Sequence, residues 1–186
     1  PDGAIGIGWT PHTRAAVWVA IIDDIHNTMV SSLTEQRLDN AVDDQKLLYQ
    51  RLDLPWPFSD RQWVIAIQNN PRIAHASLNQ VWERSWKLEG TQPVPPGDPG
   101  ALWVPMINGA WLAIEADEGT LLIYQARTTI GGAIPDDLVT RWALATLDEM
   151  MSSVFSRAAE IPAHYRAKHA PIKGGDNLKI MHFSPD

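Results

Sequence analysis

The period of apolar side chains changes several times along this chain, and each change predicts an element. In 3–9, Ile5 and Ile7 alternate with glycine, as in a strand. Thr10 before Pro11 is a helix start, a capping hydroxyl followed by a proline whose missing N–H costs nothing at the first helical position. The helix is expected to reach Ile22, and 23–28 is polar and turn-like. From Met29 the pattern becomes strand-like, predicting strands over 29–39 and 45–54 with a break at 40–44. A third strand, 61–69, puts Trp63, Ile65 and Ile67 on one face and Val64 and Ala66 on the other. Asn69-Asn70-Pro71 signals a turn. A long strand over 76–88 then carries Leu78, Trp82 and Trp86 on one side. The segment 90–100, rich in proline and glycine, interrupts the sheet. Strands at 102–106, 110–116 and 120–129 follow, the last two around the turn Asp117-Glu118-Gly119.

The last element is a long helix. Pro135-Asp136-Asp137 opens it, with early acids that suit the N-terminal dipole, and it is expected to run to about Glu160, before Pro162. At about 100° per residue, Ala143, Leu144, Leu147, Met150, Met151, Val154, Phe155 and Ala158 share a face. Residues 1–160 therefore read as one domain and 161–186, with Pro162, Pro171, Gly174, Gly175 and Pro185, as an irregular tail. A strand, a short helix, a run of antiparallel strands and a long helix make an α+β layout. About seven strands cannot be covered tightly by one helix. A curved sheet wrapped around that helix leaves an internal, enclosed hydrophobic cavity.

Composition narrows the function classes. The net charge is −7 and no Lys/Arg cluster forms a basic stripe, which argues against nucleic-acid binding. With no cysteine there is no disulfide, thiolate metal site or cysteine nucleophile. No apolar run is long enough for a membrane-spanning helix, so a soluble cytoplasmic or periplasmic protein is expected, its N-terminus open to trimming. His164 and His169 are five apart, which does not put two imidazoles on one helical face. No phosphate loop or nucleophile elbow occurs, so no metal, no cofactor and no catalytic group is assigned. Asp23, Asp24 and His26 at a helix end read as solvated caps. Nine tryptophans against three tyrosines and three phenylalanines serve either to fill a core or to line a chamber with rigid walls.

Two stretches resemble a known family. Leu54-Pro55-Trp56-Pro57-Phe58-Ser59-Asp60-Arg61-Gln62-Trp63-Val64 is similar to the segment that opens a central strand in START lipid-transfer domains of the helix-grip superfamily. Gly109-Ala110-Trp111, then Thr120, Tyr124 and Gly132-Ala133-Ile134-Pro135, resembles the ending of those domains. The likeness covers about residues 4–160. Gln62 departs from the acid usual after the arginine, and Ile67 stands where animal sterol carriers place a cavity-facing arginine. The animal domains also have a helix and a strand before the point where this sequence begins, so the resemblance is to them less those elements or to a shorter bacterial-type member.

The resemblance implies a non-enzymatic carrier or sensor of a hydrophobic molecule, most simply a lipid, with transient membrane contact. The same superfamily includes aromatase/cyclase enzymes acting on hydrophobic or polyketide-type substrates, and that is the alternative. The expected ligand contacts are Trp63, Ile65, Ile67, Trp82, Trp86, Trp111, Tyr124, Leu147, Met150, Met151 and Val154. Met150 and Met151 are also plain core candidates, since a stripe at helical spacing serves either role. Arg61 is a candidate polar contact, its rival role being to bond loop carbonyls. Segment 90–100 with the last helix is expected to form the gate.

Overall fold

The structure, a computed structural model, describes residues 2–22, 30–38, 45–90, 97–164 and 172–180. The elements are β1 (Asp2–Thr10), α1 (Arg14–Ile22), β2 (Leu33–Arg37), β3 (Gln45–Leu52), β4 (Arg61–Asn69), α2 (Pro71–Ala76), β5 (Val81–Gly90), β6 (Leu102–Trp103), β7 (Met106–Ala116), β8 (Gly119–Thr129), α3 (Asp136–His164), β9 (Ile172–Lys173) and β10 (Lys179–Ile180). Seven strands form an antiparallel sheet in the order β1-β8-β7-β5-β4-β3-β2, and the short β6 pairs with the start of β4 in parallel. The sheet curls around α3 as a half-barrel, the α+β arrangement expected from the sequence.

Registry aligns the inward side chains in rows across the sheet. Lys46, Ile67, Trp86, Gly109, Ala126 and Ala4 form one row; Asn69, Arg84, Trp111, Tyr124 and Gly6 the next; Trp82, Ala113, Leu122 and Gly8 a third. The glycines of β1 decide where α3 sits. A Cβ on Gly6 would lie 2.7 Å from Leu147 Cδ1, and one on Gly8 would lie 2.8 Å from the Phe155 ring. The alternating glycines thus let the helix rest on the strand itself, while Ile5, Ile7 and Trp9 face out, each more than half exposed.

The C-terminal half of α3 is seated there and against α1. Leu147, Met151, Val154, Ala158 and Ile161 are buried with Val17, Trp18 and Val19 in one core. The N-terminal half stands off the sheet: Thr140, Ala143 and Leu144 are exposed. Buried Ile161 holds the last turn down, and α3 continues through Pro162 to His164, past the expected end at Glu160. A proline this near the end removes only one helical hydrogen bond.

Three other expectations are corrected. Helix α1 starts at Arg14, not Pro11: Thr10 pairs in β1, and Thr13 Oγ1 accepts from the Ala16 N–H at 3.3 Å as the cap. The chain after Asn70 first makes α2, with Pro71 in its opening turn, then a tight turn with Leu78 at φ 52°. Leu78 is therefore exposed on that turn, not on the strand bearing Trp82 and Trp86. Finally, 172–180 is not irregular. Its hairpin packs on the main core, with Gly174 and Gly175 against Trp82 and the Trp18 indole donating to the Lys173 carbonyl at 3.0 Å. Both glycines are needed because any side chain would strike the Trp82 ring. The expected turns 23–28 and 40–44, and 91–96 of the proline-rich segment, lie largely or wholly outside the described residues.

Candidate ligand cavity

A cavity of about 400 Å³ lies between the concave face of the sheet and the N-terminal half of α3. It exists because α3 diverges from the sheet beyond Leu147, toward its own N-terminus. The walls are largely apolar. Strands supply Leu48, Trp63, Ile65, Ile67, Trp86, Trp111 and Tyr124; the helix supplies Val139, Trp142, Ala143, Leu144, Thr146 and Met150. Trp86 lies across Gly109, where a Cβ would collide with its ring, and stacks at a tilt on Tyr124 with centroids 5.4 Å apart. Trp111 meets Tyr124 edge-on at 4.6 Å. Burial raises the Tyr124 pKa, so the phenol stays neutral. Exposed Thr140, Ala143 and Leu144 form its rim, so the cavity opens along the first turns of α3 instead of being sealed.

Of the side chains expected to touch ligand, Trp63, Ile65, Ile67, Trp86, Trp111, Tyr124 and Met150 line this space. Trp82, Leu147, Met151 and Val154 do not. Trp82 closes the core beneath the hairpin, edge-on to Trp18 at 5.4 Å and under the Arg14 guanidinium at 4.1 Å. Leu147 and Met151 press on the β1 glycines, and Val154 is fully buried. The division has a geometric cause. The cavity stripe Val139, Ala143, Thr146, Met150 and the core stripe Leu147, Met151, Val154, Ala158 are separated by about 80° around the helix. Hydrophobic periodicity merges them.

Arg61 is outside the cavity lining. Its guanidinium is buried and donates to the carbonyls of Ile130 at 2.6 Å, Gly131 at 2.8 Å, Asp60 at 3.3 Å and Ser59. It ties the entry of β4 to the loop that aims α3. Burial lowers its pKa, against the pull of Asp60. Gln62 is also buried. The Tyr49 hydroxyl donates to its Oε1 at 2.9 Å, and its Nε2 donates to the carbonyls of Asp98 at 2.9 Å and Ala101 at 2.8 Å. A neutral amide here needs no counter-ion. With Arg51 Nη1 bonded to Asp98 at 3.0 Å, residues 97–101 are pinned to β3 and β4 and do not line the cavity, which gives the expected gate no support from this part of the loop.

Sequence reasoning missed the polar part of the wall: Glu35, Lys46, Gln50 and Arg84. Trp63 Nε1 donates to Gln50 Oε1 at 2.6 Å, and Gln50 Nε2 donates to Glu35. Lys46 Nζ donates to the Ile22 carbonyl at the end of α1, at 3.0 Å, and Arg84 Nη1 donates to Asn69 Oδ1. The signal was available: Arg84 alternates with Trp82 and Trp86, so if those tryptophans point inward it does too.

Among the described residues, no cluster of three or more His, Asp or Glu side chains is placed to hold a metal ion, and no helix is long and apolar enough to cross a membrane. Neither the family models nor the curated proteins compared with the chain match its sequence. Solved structures do resemble it. A STAR-related lipid transfer protein from Xanthomonas axonopodis superposes with a TM-score of 0.68 at 18% identity, over 84% of this chain and 85% of that one. Human StAR-related lipid transfer protein 5 gives 0.67 at 12% identity, over 86% and 76%. The Zhui aromatase/cyclase of a Streptomyces species gives 0.61 at 11%, over 86% and 94%. The curled sheet, the helix it grips and these superpositions identify the chain as having the START-type helix-grip fold.

Proposed function

We propose that the protein binds one hydrophobic small molecule, a lipid in the simplest case, in this cavity and carries or senses it. The observation behind this reading is an apolar space of about 400 Å³ with four tryptophans, Trp63, Trp86, Trp111 and Trp142, in its wall. That volume is in the lower part of the roughly 300–1,000 Å³ range of small-molecule pockets, which suits a single-chain or polycyclic molecule. Burying the ligand is worth roughly 25 cal/mol per Å² of apolar surface taken from water. The rim residues Ala143 and Leu144, with the fully exposed Trp56 elsewhere on the surface, offer apolar contact to a membrane during loading.

A cyclase-type enzyme is the second reading, and Glu35 favours it as the one carboxylate in the wall among the described residues. The carrier reading is preferred because Glu35 is already engaged by Gln50, and Gln50 by Trp63. The test uses the tryptophans. A polyene fatty-acid probe titrated into the protein is expected to quench their emission and fluoresce by energy transfer, saturating at one probe per chain. Emission that does not change with probe, or rises without saturating, contradicts binding in the cavity. Turnover of a polyketide-type substrate, lost in Glu35→Gln, would instead support the enzyme.

A further inference from the structure

We infer that the Tyr124 hydroxyl sets the specificity of the cavity by donating a hydrogen bond to an oxygen on an uncharged ligand, a ketone, ester or alcohol. This rests on the binding reading above and adds the chemical class of the ligand. Tyr124 is on the inward face of β8 and lines the cavity. Its hydroxyl makes no hydrogen bond among the described residues, yet it is not sealed from a water-sized molecule. The phenol is otherwise enclosed by protein, so the accessible side of the hydroxyl is the one that opens to the cavity. Burial also keeps the phenol protonated, with a proton to donate.

The neighbouring side chains give that proton no acceptor. Across the sheet Tyr124 stands opposite Trp111 on β7 and Gly6 on β1, and the Trp86 ring lies on it with centroids 5.4 Å apart. Indole nitrogens only donate and glycine has no side chain, so none of the three can receive the bond. Trp86 and the edge-on Trp111, 4.6 Å away, hold the phenol from two sides, which fixes the hydroxyl before any ligand arrives. A wholly hydrocarbon ligand would strip water from the hydroxyl and leave it unsatisfied, whereas an acceptor oxygen satisfies it. The charged groups of the wall make no such demand. Arg84 Nη1 donates to Asn69 Oδ1, Lys46 Nζ donates to the Ile22 carbonyl at 3.0 Å and Glu35 accepts from Gln50, and all three make further interactions within the protein. An ionised head would enter beside cations that are already engaged, and its desolvation would go uncompensated. Two other hydroxyls, of Thr128 and Thr146, also line the wall. Thr128 is four residues further along β8, toward the loop into α3, and Thr146 is on the helix, so neither shares the place of Tyr124.

The experiment titrates three straight-chain ligands of equal length into wild-type protein and Tyr124→Phe at neutral pH, followed by tryptophan emission and calorimetry. They are a methyl ketone, the alkene in which a methylene group replaces its carbonyl oxygen, and the fatty acid. Tyr124→Phe should weaken the ketone roughly three- to tenfold, the worth of a neutral hydrogen bond, and leave the alkene unchanged or tighter. Wild-type protein should bind the acid at least about tenfold more weakly than the ketone. Thermal unfolding of the ligand-free variant should match the wild type, since the hydroxyl has no hydrogen bond to lose among the described residues. A ketone that binds Tyr124→Phe as tightly as the wild type, or an alkene weakened equally, overturns the proposal and leaves cavity binding intact. So does an acid that matches or exceeds the ketone in the wild type, a result that needs no variant to fold. A variant that unfolds at a clearly lower temperature assigns the hydroxyl to the fold and also overturns it. Failure of all three ligands to bind the wild type overturns the binding reading, and this proposal with it.

Discussion

Replacing Met150 by tryptophan is expected to abolish probe binding and leave the fold nearly untouched, whereas the same replacement at Val154, one helical turn on, should unfold much of the protein. Met150 faces open space of about 400 Å³, so an indole has somewhere to go. Stability should change by no more than about 1 kcal/mol, or roughly 2–4 °C in Tm for a chain this size. The new ring would occupy the ligand's place, with a loss in probe affinity of about a hundredfold or more, near 2.7 kcal/mol. Val154 has no accessible surface and packs among α1, α3 and the β1 side. Overpacking there costs roughly 1–3 kcal/mol or more, and a change from valine to tryptophan belongs at the high end. Thermal unfolding and probe titration on both variants check the pair. A destabilised Met150→Trp that still binds probe would mean that Met150 is core and the cavity is not the binding site.

Arg61→Met should be the most destabilising single change at a charged residue, with ligand affinity preserved in the folded protein. The substitution strips donors from the carbonyls of Ser59, Asp60, Ile130 and Gly131 in a buried place. Unsatisfied buried acceptors cost about 1–3 kcal/mol each, and relaxation recovers some of that, so the net loss is put at roughly 3–5 kcal/mol. Lysine should rescue little, since a point ammonium cannot span strand entry and helix-aiming loop as the fork does. Urea unfolding measures the loss, and probe titration at low temperature measures affinity. Weakened binding at unchanged stability would instead make Arg61 a ligand contact.

Much of this architecture was legible in the alternation of side chains. The bounds of β4 and the inward face of Trp63, Ile65 and Ile67 follow from a period of two, and the opening of α3 from Pro135 and two acids. The cavity face of α3 was not, because one apolar stripe served both core and cavity, and only the position of β1 separates them. Gly6 and Gly8, which decide that position, look in sequence like weak strand residues. Helix α2 was hidden because Asn70-Pro71 signals a turn and a helix start equally well. The hairpin at 172–180 is held by tertiary contacts to Trp18, Trp82 and Asn69, which no local pattern announces. Arg84 and Lys46 were overlooked for another reason. Attention to apolar positions passed over charged ones sharing their face, although the alternation that placed Trp86 inside placed Arg84 there as well.

Native mass spectrometry of the protein mixed with a long-chain amphiphile tests the central claim most directly, because it counts molecules. The account predicts a single adduct, one amphiphile per chain, that saturates without a second and is absent in Met150→Trp. No adduct with the wild-type chain, or an adduct that persists unchanged in Met150→Trp, would contradict it.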